Sequence, residues 1–269
     1  MALPIYNAQV TDLALAPKAS DGRVHFTADL IVLQPAEASK GNGVLLFEVV
    51  NRGRIGVLEK FNSAPRADAP TAPDVGNAYL MRQGYTLVFV GWEFDLPPGT
   101  IRLDAPALDT LRQSITVPFI LDRASPETTL ANAPTYLPAN PTDAASTLTV
   151  RDHYWDRPTP IARTRWRFIS AGAGPPRLAL DGGFEPGRMY EVSYVAMGAR
   201  LVGAGLAAIR DAASAFRYRT DLPIRGRWAL GYGFSQDGRF LRQFLYDGFN
   251  VDERDRVVFD GIWSHIAGA

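Results

Sequence analysis

Residues 227–247 read RWALGYGFSQDGRFLRQFLYD. Trp228, Ala229, Leu230 and Tyr232 form a short run bounded by Gly226 and Gly233, with the length and composition of a strand covered on both faces. After Ser235, the residues Phe240, Leu241, Phe244 and Leu245 recur at helical spacing, and Gly248 supplies a C-terminal stop. Strand, turn and helix therefore follow one another at once, with Ser235 at the turn. A serine on so sharp a turn is held out of the sheet with its hydroxyl exposed, and the first amides of the helix point at whatever it attacks. That is the position of a nucleophile.

The hexapeptide Gly233-Phe234-Ser235-Gln236-Asp237-Gly238 matches the nucleophile elbow Gly-x-Ser-x-Gly at its first glycine and its serine, and departs from it at the last position. Small residues are wanted two before and two after the serine, because the chain crowds itself there. Asp237 is larger, but an acid in a first helical turn gains roughly 0.3–1 kcal/mol from the helix dipole, which gives it a structural reason to be present. Without its flanks Ser235 would be only a turn or N-cap serine.

Upstream, residues 44–50 (VLLFEVV) are a nearly continuous apolar run of the kind found in a central parallel strand, ending at Asn51-Arg52-Gly53-Arg54. Residues 75–83 are predicted helical and residues 85–91 (YTLVFVG) form a second buried strand, so the three make a βαβ unit. Earlier still, Val24, Phe26, Ala28, Leu30 and Val32 alternate with His25, Thr27 and Asp29. With Leu13, Leu15 and an Asp21-Gly22 turn before them, they predict an N-terminal hairpin in which His25 is an ordinary residue of the polar face.

Between residues 96 and 190 the texture changes. Thirteen of the 20 prolines fall there, long helices are disfavoured, and only short strand-like pieces such as 115–121 and 147–152 remain. Tyr154, Trp155, Trp166 and Phe168 argue for a folded β-rich insertion or lid rather than disorder. Arg163, Arg165 and Arg167 read as the solvated face of a strand whose other face carries Trp166 and Phe168, and His153 as a half-buried structural residue. Parallel architecture resumes with a helix over 201–216, the elbow strand and helix, and a buried strand over 256–263 (RVVFDGIW). The expectation is an α/β chain with a mostly parallel sheet, divided into 1–95, 96–190 and 191–269.

Composition narrows the function. Lys+Arg and Asp+Glu are both 28, so nucleic acid is not an expected partner, and 25 Arg against 3 Lys points to no particular ligand. The absence of cysteine excludes a thiolate nucleophile and Cys-built zinc sites. No run reaches the ~18 apolar residues of a membrane span; the nearest, 195–216, is interrupted by Arg200, Arg210 and Asp211. The N-terminal MALPIYNAQVTDL lacks the pattern of a signal peptide, and no compartment is fixed. His25, His153 and His265 show no ligand spacing, so neither metal nor cofactor is expected.

The order strand, helix, strand, helix, elbow strand, helix, strand resembles the α/β-hydrolase fold. The segments GNGVLLFEVVNRGR, YLMRQGYTLVFVGWEFDLPPG, GGFEPGRMYEVSY, GAGLAAIRDAASAFRY, GYGFSQDGRFLRQFLYDGFN and VVFDGIWSHIAGA are similar to those of the bacterial alpha/beta hydrolase domain family of serine hydrolases. The resemblance implies acyl transfer to water from a small ester-like substrate, with Ser235 as nucleophile. The Gln236 amide would be one oxyanion donor and the loop at Asn51, Arg52 and Gly53 the other, each worth roughly 2.7–4 kcal/mol. Trp92, Glu93, Asp260 and His265 are expected to line the pocket at the strand ends. In this fold the acid and then the histidine follow the serine, so Asp260 is the candidate acid and His265 the candidate base, one strand earlier than usual. The expectation is therefore a chain lacking its last strands and inactive by itself. A non-catalytic ligand- or partner-binding protein on the same scaffold is the alternative.

Overall fold

The computed structural model describes residues 5–66, 73–97, 99–131, 133, 135–169 and 174–268, with backbone alone at 5 and 6. The chain divides into two compact units, one made of Met1–Pro106 with Leu201–Ala269 and the other of Ala107–Arg200. The insertion expected over 96–190 compares with this division at 107–200.

The first unit is built on a five-stranded sheet. Its strands are β1 (Leu30–Leu33), β2 (Val44–Val49), β3 (Thr86–Val90), β4 (Trp228–Phe234) and β5 (Gly261–His265), in the spatial order β5-β4-β2-β3-β1. Strands β2 to β5 are parallel, and β1 runs antiparallel on the β3 edge. The apolar run of β2 is central because both its faces are covered: Leu45, Phe47 and Val49 on one face are at most 1% exposed, and on the other Glu48 is 2% exposed and Leu46 packs against the core. Around the sheet lie α1 (Val57–Asn62), α2 (Tyr79–Arg82), α3 (Ala204–Tyr218) and α4 (Gln236–Tyr246). Because the four parallel strands share a direction, their C-terminal ends bring Asn51, Trp92, Ser235 and His265 to one edge of the sheet.

The elbow helix α4 ends as its sequence implies. Gly248 takes φ +76°, its N–H donates to Leu245 O (3.1 Å) and the Phe249 N–H donates to Phe244 O (2.9 Å), which is a Schellman stop. The Phe244 and Phe249 rings pack across it at 6.0 Å. Phe240, Leu241 and Phe244 are buried as the helical spacing predicts, while Leu245 is exposed.

Four expectations are corrected. There is no N-terminal hairpin: Leu13–Leu15 is a 3-10 turn, Thr27–Ala28 pairs with Leu103–Asp104, and β1 pairs with β3. The helix predicted over 75–83 is the single turn of α2, begun by the Asn77 side chain, which accepts from Tyr79 N. The strand predicted over 256–263 begins only at Gly261; Val258 and Phe259 are buried in the loop before it, Phe259 against Phe47 and Phe244. Arg163–Arg165 is a 3-10 turn, not strand, and Arg163 bonds the carbonyls of Pro141, Asp143 and Trp166 instead of facing solvent.

The second unit is two antiparallel sheets over a shared core. One runs Thr159–Ile161, Thr147–Arg151, Met189–Met197, Gln113–Ile120, and the other Trp166–Phe168, Arg177–Phe184, Ser125–Thr129. Trp166, Phe184, Tyr190, Val192 and Leu148 fill the space between them. His153 is exposed, not half-buried: it bonds Asp156 and stacks on Trp155.

Candidate active site

Ser235 joins β4 to α4 with φ +60° and ψ −108°. A residue with a Cβ avoids that region at a cost on the order of 1–3 kcal/mol, so the surroundings must enforce it. They do so through Gly233, where a Cβ would lie 2.5 Å from both C and O of Asp237, so only glycine lets the strand end and the helix start approach so closely. On the other side the Ser235 N–H donates to His265 O (2.9 Å), tying the turn to β5. The Ser235 side chain makes no capping hydrogen bond to its own helix and is half-buried. Its hydroxyl is therefore not used as the N-cap that its position invites. As the first residue of α4, Gln236 has an N–H with no partner inside the helix.

The loop after β2 faces the elbow. Arg52 (φ +51°) and Gly53 (φ +74°) are the centre of a tight turn closed by Arg54 N to Asn51 O (3.0 Å). Gly53 is held against Thr100, Ile101 and Leu96, where a Cβ would meet atoms at 2.7–2.9 Å. Asn51 Nδ2 donates to Phe234 O (3.2 Å). Glu93 completes the link: its Oε1 accepts from Arg52 Nη1 (3.2 Å) and from Gln236 Nε2 (2.8 Å). Trp92 donates from Nε1 to Val50 O (2.8 Å) and packs its ring on Phe240 at 4.5 Å. Arg52, Trp92, Glu93 and Gln236 line a cleft of about 670 Å³ whose apolar wall includes Leu206 and Phe240.

Of the two expected triad partners, Asp260 falls elsewhere and His265 reaches the right edge with its ring engaged by other groups. Asp260 precedes β5 instead of ending it, so it lies at the opposite end of the sheet from Ser235. Its N–H donates to Ala229 O, and its carboxylate accepts from Ala229 N (2.8 Å) and Arg217 Nη2 (3.1 Å). Ala229 is six residues before Ser235 along an extended strand, roughly 20 Å away, which removes Asp260 as a triad acid. His265 does end β5, opposite Phe234, but its Nδ1 is 3.3 Å from the Tyr232 hydroxyl and its ring stacks on Trp263. Among the described residues no side chain hydrogen-bonds the Ser235 hydroxyl.

Three acids close beneath the elbow were not singled out as a group by sequence reasoning. Glu48 is 2% exposed on β2, with its carboxylate accepting from Gly56 N and Val57 N. Burial pushes it up to about 7, against those amides and Lys60. Glu93 is raised by burial first, with Arg52 opposing. Asp237 is 1% exposed, and neither oxygen has a hydrogen-bond partner among the described residues. Burial, then Glu48, then Glu93 push it up to about 8. The helix-dipole gain of about 1 kcal/mol does not offset the burial of that charge, so dipole stabilisation is not why Asp237 is there. The available signal was Glu48, a lone acid inside an otherwise apolar central strand. Tyr232, raised to about 12 by burial and then by Glu48 and Asp237, borders the same group.

Among the described residues, no three His, Cys, Asp or Glu side chains are grouped to hold a metal ion, and no helix is long and apolar enough to cross a membrane. The parallel sheet, the strained serine at the strand-to-helix turn and the facing loop are the elements of an α/β hydrolase. The family model described as "Alpha/beta hydrolase domain" matches residues 6–269, and the chain belongs to that family. No curated protein and no solved structure matches it. Membership implies a hydrolase-type function on a small-molecule substrate.

Proposed function

We propose that the protein is a serine esterase in which Ser235 Oγ attacks the carbonyl carbon of a small ester. The alcohol leaves, an acyl-Ser235 ester forms, and water cleaves it to the acid and free serine. The observation that carries this reading is the backbone of Ser235, a non-glycine residue at φ +60° and ψ −108° whose hydroxyl does not cap its own helix. The Gln236 N–H and the Asn51-Arg52-Gly53 turn are the proposed donors to the developing oxyanion. The Arg52–Glu93–Gln236 bridge supports that assignment by holding the two together. Trp92 and Glu93 line the cleft beside them.

Attack requires a group that accepts the serine proton, and no described side chain is bonded to Ser235 Oγ. Acylation is therefore expected to be slow, since oxyanion donors and binding without a base leave only about 10³–10⁴-fold acceleration over water. The same observation favours a second reading, a ligand-binding module on a hydrolase scaffold. A p-nitrophenyl acetate assay separates them. One equivalent of p-nitrophenol released per protein, with an acetyl group on Ser235 and no release by Ser235→Ala, supports the esterase. Identical traces for the two proteins support the binding module.

A further inference from the structure

We propose that Asp237 is a positioning residue, seated under the elbow as a neutral carboxylic acid, and that its ionisation loosens the turn presenting Ser235. The effect on Ser235 rests on its assignment as nucleophile; the protonation of Asp237 does not.

The geometry leaves a carboxylate in that seat without compensation. Asp237 is 1% exposed and both its oxygens lack hydrogen-bond partners among the described residues, as does Glu93 Oε2. Around that seat, β5, packed on α4, brings His265, whose Nδ1 is 3.3 Å from the Tyr232 hydroxyl, and α1 brings Lys60, whose charge acts on Glu48. β2 brings Glu48, the segment after β3 brings Glu93, and β4 brings Tyr232. The loop after β2 brings Asn51, whose amide is hydrogen-bonded to Phe234 O. α4 itself brings Arg239, an exposed side chain whose attraction is the weakest of these influences. Two acids and a phenol thus face Asp237, against one committed amide and one solvated cation. Burial and the two acids raise it to about 8, so it holds its proton at neutral pH.

The connection to Ser235 is direct. The backbone of Asp237 is the part of α4 wedged against Gly233, where even a methyl group would overlap its C and O. A charged carboxylate drawn toward Arg239 and solvent pulls on that wedge, and the wedge holds Ser235 at its unfavourable angles. An asparagine fills the same space and never ionises.

The test compares wild type with Asp237→Asn from pH 5.5 to 9.5, by thermal melting and by the rate of Ser235 modification with a small fluorophosphonate. Relative to the variant, the wild-type melting temperature is expected to fall by about 4 °C or more between pH 6 and 9. Its Ser235 modification is expected to slow at least about threefold above pH 8. Parallel melting curves overturn the proposal, and unchanged relative rates overturn its link to Ser235. If neither protein is modified at Ser235, the nucleophile assignment fails while the melting curves still decide the protonation. Should the variant not fold, NMR of wild type carrying side-chain-labelled aspartate replaces it: a carboxyl signal titrating near pH 8 is expected, and none titrating above pH 6 overturns the proposal.

Discussion

Asp237 and Asp252 are both almost wholly buried in the first unit, and they are held in opposite ways. Asp252 is 4% exposed, yet it accepts from Ser214 Oγ (2.6 Å), Arg256 Nη2 (2.7 Å) and Nε (2.9 Å), and the backbone amides of Arg254 and Arg256. Burial would raise it, but those donors outweigh burial and hold it at about 2. Asp237 is buried slightly more deeply, its oxygens accept no hydrogen bond of good geometry among the described residues, only the Asn51 amide acts on it as a donor, and it is raised to about 8. A carboxylate that serves only the architecture is surrounded by hydrogen-bond donors. The one lacking them sits two residues from the strained Ser235, where unsatisfied groups and unfavourable backbone angles accompany function.

The two aspartates impose opposite pH dependences. Asp252 is depressed below its ordinary 3.8, so its stabilisation is complete above about pH 4 and is lost as pH falls through about 2. Asp237 is raised above 3.8, so the folded state binds the extra proton between about 4 and 8. Stability from this group is full at low pH and declines as pH rises through that window.

The largest expected effect comes from disturbing the seat of Asp237. Gly233→Ala places a Cβ 2.5 Å from the Asp237 backbone and should cost about 3 kcal/mol in urea unfolding and remove Ser235 reactivity. A stable, reactive variant would mean that strand and helix are not wedged there. Next, Asp252→Ala takes from Arg256 its carboxylate partner and leaves the Ser214 hydroxyl and two amides without their acceptor. Because Arg256 is a third exposed, the loss should be near the low end for a broken buried pair, about 2 kcal/mol at pH 7. Asp237→Asn should act with the opposite sign, its stability relative to wild type rising by about 2 kcal/mol or more from pH 5 to pH 8.5, by urea unfolding at both. Were both variants destabilised alike, the contrast between the two aspartates would be lost. Smallest is Glu48→Gln, which removes one acid facing Asp237 and should move its titration to lower pH in the labelled-aspartate spectrum. No movement would show that the two do not interact.

The elbow was legible because its signals are local: Gly233, Ser235, the helical spacing of Phe240 and Phe244, and Gly248 each act within a few residues. The central position of residues 44–50 was legible from their unbroken apolarity. Partners of the other strands were not, since Leu30–Leu33 pairs with Thr86–Val90, far along the chain, and alternation alone does not choose a partner. Asp260 was misplaced because the apolar Val258 and Phe259 resemble strand residues, whereas they plug the core from a loop and delay the ladder to Gly261. Glu93 was expected at the pocket, but its grouping with Glu48 and Asp237 was missed because the three lie on separate segments that only the parallel sheet brings together.

The assignment of Ser235 is tested most directly by peptide mapping after reaction of the folded protein with a fluorophosphonate. The expected result is a single phosphonyl adduct on Ser235, abolished by Ser235→Ala and by prior denaturation. An adduct confined to other serines, or none at all on a protein with an intact melting transition, would contradict it.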